Sequence, residues 1–234
     1  IFLDVISSQK ISVGPPFYHK LIIPSLIPFL LMMAIGPKLK WIKSQLEDKI
    51  YLVSFLIISI LLAFLVLKNF NQNILINTIL ISSALYLFFI TLRDFFIKKY
   101  KNVSQNVSHF GFSLLILSIL FNNLFSSEII TNLKVGETFE NSKTKIVFES
   151  VDQKKKINYN AIVANFSILN SNGEEERFSP ELRIYNQPVI ATSEADIKTT
   201  LLSDKFIVIN LVQNQNFFNV RYQVKPFMLW IWLS

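Results

Sequence analysis

A chain of 234 residues with 51% hydrophobic residues, 22 Phe and no Cys is not an ordinary water-soluble domain. The absence of cysteine excludes disulfides, thiolate metal sites and thiol chemistry carried by the chain itself. The formal charge of +7 lies wholly in residues 1–127, while residues 128–234 carry equal numbers of acids and bases. That excess falls in short segments between apolar runs, where it orients the chain in a bilayer and does not mark a nucleic-acid partner.

The opening residues Ile1 to Lys10 lack the charged n-region and cleavage site of a signal peptide. Gly14-Pro15-Pro16 then predicts a turn ahead of the first span, with His19 at headgroup level. Four spans are expected, at about 21–37, 50–67, 74–92 and 107–126, making residues 1–127 a transmembrane region. The first contains Pro24 and Pro28 and is expected to bend. The basic segments 38–49 and 93–101 hold most of the positive charge and place those ends in the cytoplasm. Everything after Ser127 is then outside, which in a bacterial inner membrane means periplasmic and in a mitochondrial inner membrane means the intermembrane space.

The fourth span lies within Asn102 to Ser127, an uncharged stretch whose one ionisable group is His109. A histidine at membrane depth is costly and points to function, although one near the end of a span also sits comfortably at the interface. On a helix it shares a face with Phe112, Ser113 and Ile116. Gly111 lies close by, where a missing Cβ lets a planar group or another helix approach. Imidazole is a good axial ligand for heme iron, and bundle interiors are where such sites are built.

From Glu128 the texture changes to mixed charge and period-two alternation, as in Ile162, Ala164, Phe166 and Ile168, and again in Phe218, Val220, Tyr222 and Val224. Residues 128–225 are therefore expected to form a small extracytoplasmic β-rich domain, a sandwich or open barrel, with a short helix near Ser193–Leu202. Asn170-Ser171-Asn172-Gly173 predicts a turn. Lys154–Lys156 and Glu174–Glu176 read as solvated loops, and Glu181 with Arg183 as strand-edge electrostatics. Residues 226–234 read as the start of a further membrane helix, and the chain as part of a longer membrane protein. The fold class expected is an α-helical transmembrane bundle with an inserted β-rich domain.

Six stretches, in register, resemble the C-terminal half of the CcmF/NrfE family of cytochrome c maturation heme lyases. They are Val13-Gly14-Pro15-Pro16-Phe17-Tyr18 with the proline-interrupted span and Gly36-Pro37; His109-Phe110-Gly111; Pro180-Glu181-Leu182-Arg183-Ile184-Tyr185; Thr192-Ser193-Glu194-Ala195-Asp196-Ile197; Ser203-Asp204-Lys205-Phe206-Ile207-Val208; and Arg221-Tyr222-Gln223-Val224-Lys225-Pro226 followed by Trp230-Ile231-Trp232. The departures are His19 where the family has Asn, the order Phe17-Tyr18, and Phe206 for Tyr.

The resemblance implies covalent attachment of heme to apocytochrome c, with heme arriving on a heme-delivering chaperone and other maturation subunits alongside in the lipid bilayer. It also implies a resident heme b in the membrane bundle, with His109 matching the family's ligand and so both the cofactor-binding and the metal-ligating residue of this chain. The second ligand and the Trp-rich heme-handling segment belong to the family's N-terminal half, so no catalytic residue is assigned here. Two other readings are a transporter or proton-pathway fragment using His109 as a relay, and a non-catalytic assembly scaffold.

Overall fold

The computed structural model describes residues 15–39, 49–70, 74–97, 103–170, 173–211 and 217–234. Two compact units emerge, Ile1–Leu117 with Ser234, and Ser118–Leu233.

The first unit is helical: α1 (Pro15–Ile35), a single 3-10 turn (Gly36–Lys38), α2 (Lys49–Leu67), α3 (Ile74–Ile97) and the greater part of α4 (Val103–Phe125). Three stretches are long and apolar enough to cross a membrane, Ile50–Leu67, Ile74–Ile97 and Val103–Phe125, with a shorter apolar helix at Ile22–Lys38. Pro15 and Pro16 open α1, where the predicted turn gives way to a helix start that needs no proline N–H. Most of the basic 38–49 segment lies outside the described residues.

Helix α3 is the centre of this unit and packs against both α1 and α2. Its residues 80–87 are buried on every side, and Ser82 and Ser83 donate their hydroxyls to the carbonyls of Ile79 and Leu80. Helix α2 buries only Ser59, Ala63 and Leu67, a stripe at spacing four whose small residues let the helices approach closely. Much of the rest of α2, including Ile50, Leu61 and Leu65, is apolar and exposed, as suits a lipid-facing surface.

Helix α3 runs past the expected end at Leu92 and carries Asp94 into a buried position. Asp94 accepts two hydrogen bonds from Lys38 Nζ, at 2.7 and 2.9 Å, with the two side chains 8% and 7% exposed. The Arg93 guanidinium lies 3.7 Å from Asp94 Oδ1 and 3.6 Å from the centre of the Tyr51 ring. The ends of α1 and α3 and the start of α2 are thus fastened by one ionic and cation–π cluster.

Among the described residues, the second unit contains ten antiparallel strands in two sheets. The four-stranded sheet has the order β1 (Ser127–Leu133), β10 (Phe218–Pro226), β9 (Ser203–Leu211), β8 (Asp196–Thr199). The six-stranded sheet runs β2 (Thr138–Glu140), β3 (Thr144–Lys155), β4 (Tyr159–Asn170), β6 (Glu181–Tyr185), β7 (Ala191–Glu194), with β5 (Glu175–Phe178) also on β4. The alternation read in β4 and β10 is the inward set. Phe148 stacks on Phe166 at 4.4 Å and meets Phe218 edge-on, and Phe178 meets Tyr222.

The helix expected near Ser193–Leu202 is absent. Residues 191–199 form β7 and β8, one in each sheet, and Ala195 alone makes the passage between them. Ser193 donates to the Asn210 side chain at 2.5 Å and Asp196 accepts from the Ser179 N–H at 2.6 Å, so local polar groups pin the corner. Strand β1 pairs with β10 from Ser127↔Val224 to Leu133↔Phe218, which brings the two ends of the domain together and allows its insertion between helices. Asn122 of α4 donates to the Pro226 carbonyl at 2.6 Å, and Phe227, at φ 61, turns the chain into α5 (Met228–Leu233).

Two predictions follow from these polar clusters. Asp94→Ala leaves Lys38 as an uncompensated buried charge and is expected to destabilise the helical unit by about 3–5 kcal/mol. In detergent unfolding, the apolar double variant Lys38→Met/Asp94→Leu should recover most of that loss. In the sandwich, Tyr222 is pushed up to about 12, first by burial and then by the negative charge of Glu176. An unfolded tyrosine releases its proton near pH 10. Between pH 10 and 12 the unfolded chain therefore binds fewer protons than the folded one, and stability falls as pH rises. The stabilising contribution is complete below pH 10, and Tyr222→Phe should flatten this part of a denaturation-midpoint profile.

Candidate functional site

His109 occupies the second turn of α4 and is half-buried. The aromatic residues that follow it lodge the helix against two others. Phe110 lies on Phe88 and Phe95 of α3, at 5.4 and 6.2 Å between ring centres, and Phe112 meets Phe29 of α1 edge-on at 5.9 Å. Ser113 is fully buried and satisfies its hydroxyl on the Phe110 carbonyl at 2.8 Å. His109, one turn before Phe112, therefore sits on the α1 side of its helix.

Beside this contact α1 presents a shallow groove lined by Ile22, Ser25, Leu26 and Phe29. Pro24 and Pro28 lie within the same stretch and remove two backbone donors from the helix. His109 is not among the residues that line this groove; a half-buried imidazole on a helix packed by its neighbouring rings supplies one nitrogen of the kind that serves as an axial ligand to heme iron. Among the described residues no group of three or more His, Cys, Asp or Glu comes together, so a cage for a bare metal ion is not formed there. Gly111 does not form a tight cradle: an added Cβ would meet the Ser234 backbone at 3.5 Å, an ordinary contact.

His19 also lies in α1, ten residues before Phe29, which at helical rise is about 15 Å along the axis. It lies toward the opposite end of α1 from Lys38. Sequence reading missed Phe29, Phe88 and Phe95 as neighbours of this site. Their only signal was the density of Phe in the spans, which does not say which rings meet.

In the sandwich, Glu181 and Arg183 lie on β6, which is flanked by β4 and β7 and is not an edge strand as expected. Arg183 Nε donates to Glu181 at 2.9 Å and its Nη1 lies 3.9 Å from Glu194 of β7. Its guanidinium also lies 5.1 Å from the Tyr159 ring centre, and that ring is 5.4 Å from Tyr185. The hydrogen bond to Glu181 is the main reason the guanidinium is held even more firmly charged than usual. The cluster covers the small buried residue Ala161 on the outer face of the sheet and has no nucleophile or proton-transfer pair.

Residues 124–226 match the family described as the CcmF C-terminal beta-sandwich. The chain is similar to the cytochrome c-type biogenesis protein CcmF of Haemophilus influenzae, 26% identical over 96% of this chain and 37% of the relative. It is likewise similar to that of Pseudomonas fluorescens, 24% identical over 100% and 38%. The chain thus spans little more than a third of these relatives. Its fold matches the solved structure of the cytochrome c heme lyase CcmF with a TM-score of 0.71 at 20% identity, over 94% of this chain and 38% of that one. Residues 124–226 thus match the CcmF C-terminal beta-sandwich, and the chain as a whole, helices included, is similar to cytochrome c-type biogenesis proteins of the CcmF and NrfE kind.

Proposed function

We propose that this chain is the C-terminal part of a heme lyase subunit, which attaches heme covalently to apocytochrome c during cytochrome c maturation. The observation that carries the reading is the similarity to CcmF over nearly the whole chain, helices and sandwich alike. In this reading His109 supplies one axial ligand to a b-type heme resident in the membrane. The reading rests on a half-buried imidazole within an apolar helix whose adjacent rings pack on two others. When bound there, such a heme supplies one-electron redox chemistry.

The residues of this chain do the holding. Phe110, wedged between Phe88 and Phe95, fixes the rotation of α4 and with it the direction of the neighbouring imidazole. Phe29, Phe112 and Leu26 supply apolar walls that exclude water and lower the local dielectric, a lever on reduction potential. The delivered heme and the apocytochrome are substrates, and the proposed place of attachment is outside the cytoplasm. The basic segments 38–49 and 93–101 then face the cytoplasm of a bacterial inner membrane, and the sandwich is periplasmic. The partners in this reading are a heme-delivering chaperone, apocytochrome c and other membrane subunits of the maturation system.

His109→Ala in the full-length protein is expected to abolish the b-type absorption spectrum in detergent while the protein still accumulates. Unchanged heme content would eliminate His109 as a ligand. A reporter fused after Ser127 should be active only outside the cytoplasm, and cytoplasmic activity there would reverse the proposed orientation.

A further inference from the structure

The β3–β4 hairpin and the β6–β7 loop come together at one tip of the sandwich. Lys156 N–H donates to Tyr159 at 2.9 Å to close the first, Tyr185 N–H to Ile190 at 2.9 Å to close the second, and Asn186 N–H to Asn158 at 3.1 Å to join them. On this hydrogen-bonded frame Ile157 is 102% exposed, Val189 81% and Ile190 50%. Large apolar side chains held so far into solvent on an ordered frame are the mark of an interaction site. The half-buried rings of Tyr159 and Tyr185 stand behind them, with Arg183 against Tyr159, and these residue types carry much of the binding energy in protein interfaces.

The charge around the tip is one-sided. Lys154, Lys155 and Lys156 are exposed; of the acids on the same face, Asp152 accepts from the Asn165 amide, and Glu181 and Glu194 are both directed at Arg183. The tip's position argues against a lipid surface. Strand β10 leaves the domain at Pro226 beside Ser127, and its other end, at Asn219, pairs with Asn210, which Ser193 of β7 contacts. Ser193 pairs with Leu182 and Leu182 with Ile162, and β4 continues beyond that level to Tyr159. The tip therefore stands at the end of the sandwich opposite to where the chain enters and leaves it, roughly 30 Å away at strand rise.

We propose that this tip docks an acidic, apolar-faced segment of a partner polypeptide outside the bilayer, the apolar residues seating on Ile157, Val189 and Ile190 and the acids on the lysine triplet. The assignment is independent of the heme ligand. A photo-crosslinking residue placed at Ile157 or at Val189, in the full-length protein in its native membrane, is expected to give an adduct whose partner peptide is mapped by mass spectrometry. That peptide should come from another polypeptide and combine net negative charge with apolar residues. The adduct should be lost when K154E, K155E and K156E are combined, while b-type heme content is unchanged. The same probe at the exposed Ile130 should give no such adduct. Absence of an adduct at both tip positions, an adduct to lipid or to a second copy of this chain, a neutral or basic partner peptide, or an adduct insensitive to charge reversal would each overturn the proposal.

Discussion

The ion pair between Lys38 and Asp94 governs the arrangement of the helical unit. A buried carboxylate and ammonium are each costly to remove from water, and together they tolerate burial only in a narrow range of geometries. With two hydrogen bonds to one carboxylate, the end of α1 has a single acceptable height relative to α3. The level of Phe29 is set by that anchor, and through the Phe29–Phe112 contact so is the place of α1 beside α4. Tyr51 shares the cluster through Arg93, which ties in the start of α2 as well. The pair is weak evidence for stability and strong evidence for register.

The parts of this fold that were legible in the sequence are those with an uninterrupted physical signal. Uncharged runs bracketed by lysines marked the helices because a bilayer tolerates little else. Period-two alternation marked β4 and β10 because one face of each is buried. What escaped were features that depend on a partner distant in the chain. Asp94 follows Arg93 and reads locally as the start of a basic loop; only the fold supplies Lys38. The stretch 191–199 gave no clean strand pattern because its two halves belong to different sheets and their alternation breaks at Ala195. Lys154–Lys156 read as a solvated loop, although Lys154 and Lys155 belong to β3 and the hydrogen bonds around the adjacent Ile157 make an ordered tip.

The candidate heme site was half legible. His109 stood out because an ionisable side chain inside an apolar run asks for an explanation. Its surroundings did not, since Phe29, Phe88 and Phe95 are ordinary residues of apolar helices until the packing brings them to α4. The rings of Phe110 and Phe112, packed on α3 and α1, fix the rotation of the helix that carries His109, and a fixed helix face is what a ligand needs. A lone histidine at the water interface would have no such constraint.

The pairing of β1 with β10 also dictates an order of assembly. Glu128 lies opposite Gln223, 95 positions further along the chain, whereas β3 and β4 are joined by a short hairpin and β8 lies next to β9 in both sequence and space. Local pairings close quickly, and distant ones wait on the entropy of a long loop. The six-stranded sheet is thus able to form while synthesis continues. The four-stranded sheet stays incomplete until residue 226 has been delivered, and in that interval β1, already emerged and tethered to its helix, has no strand beside it.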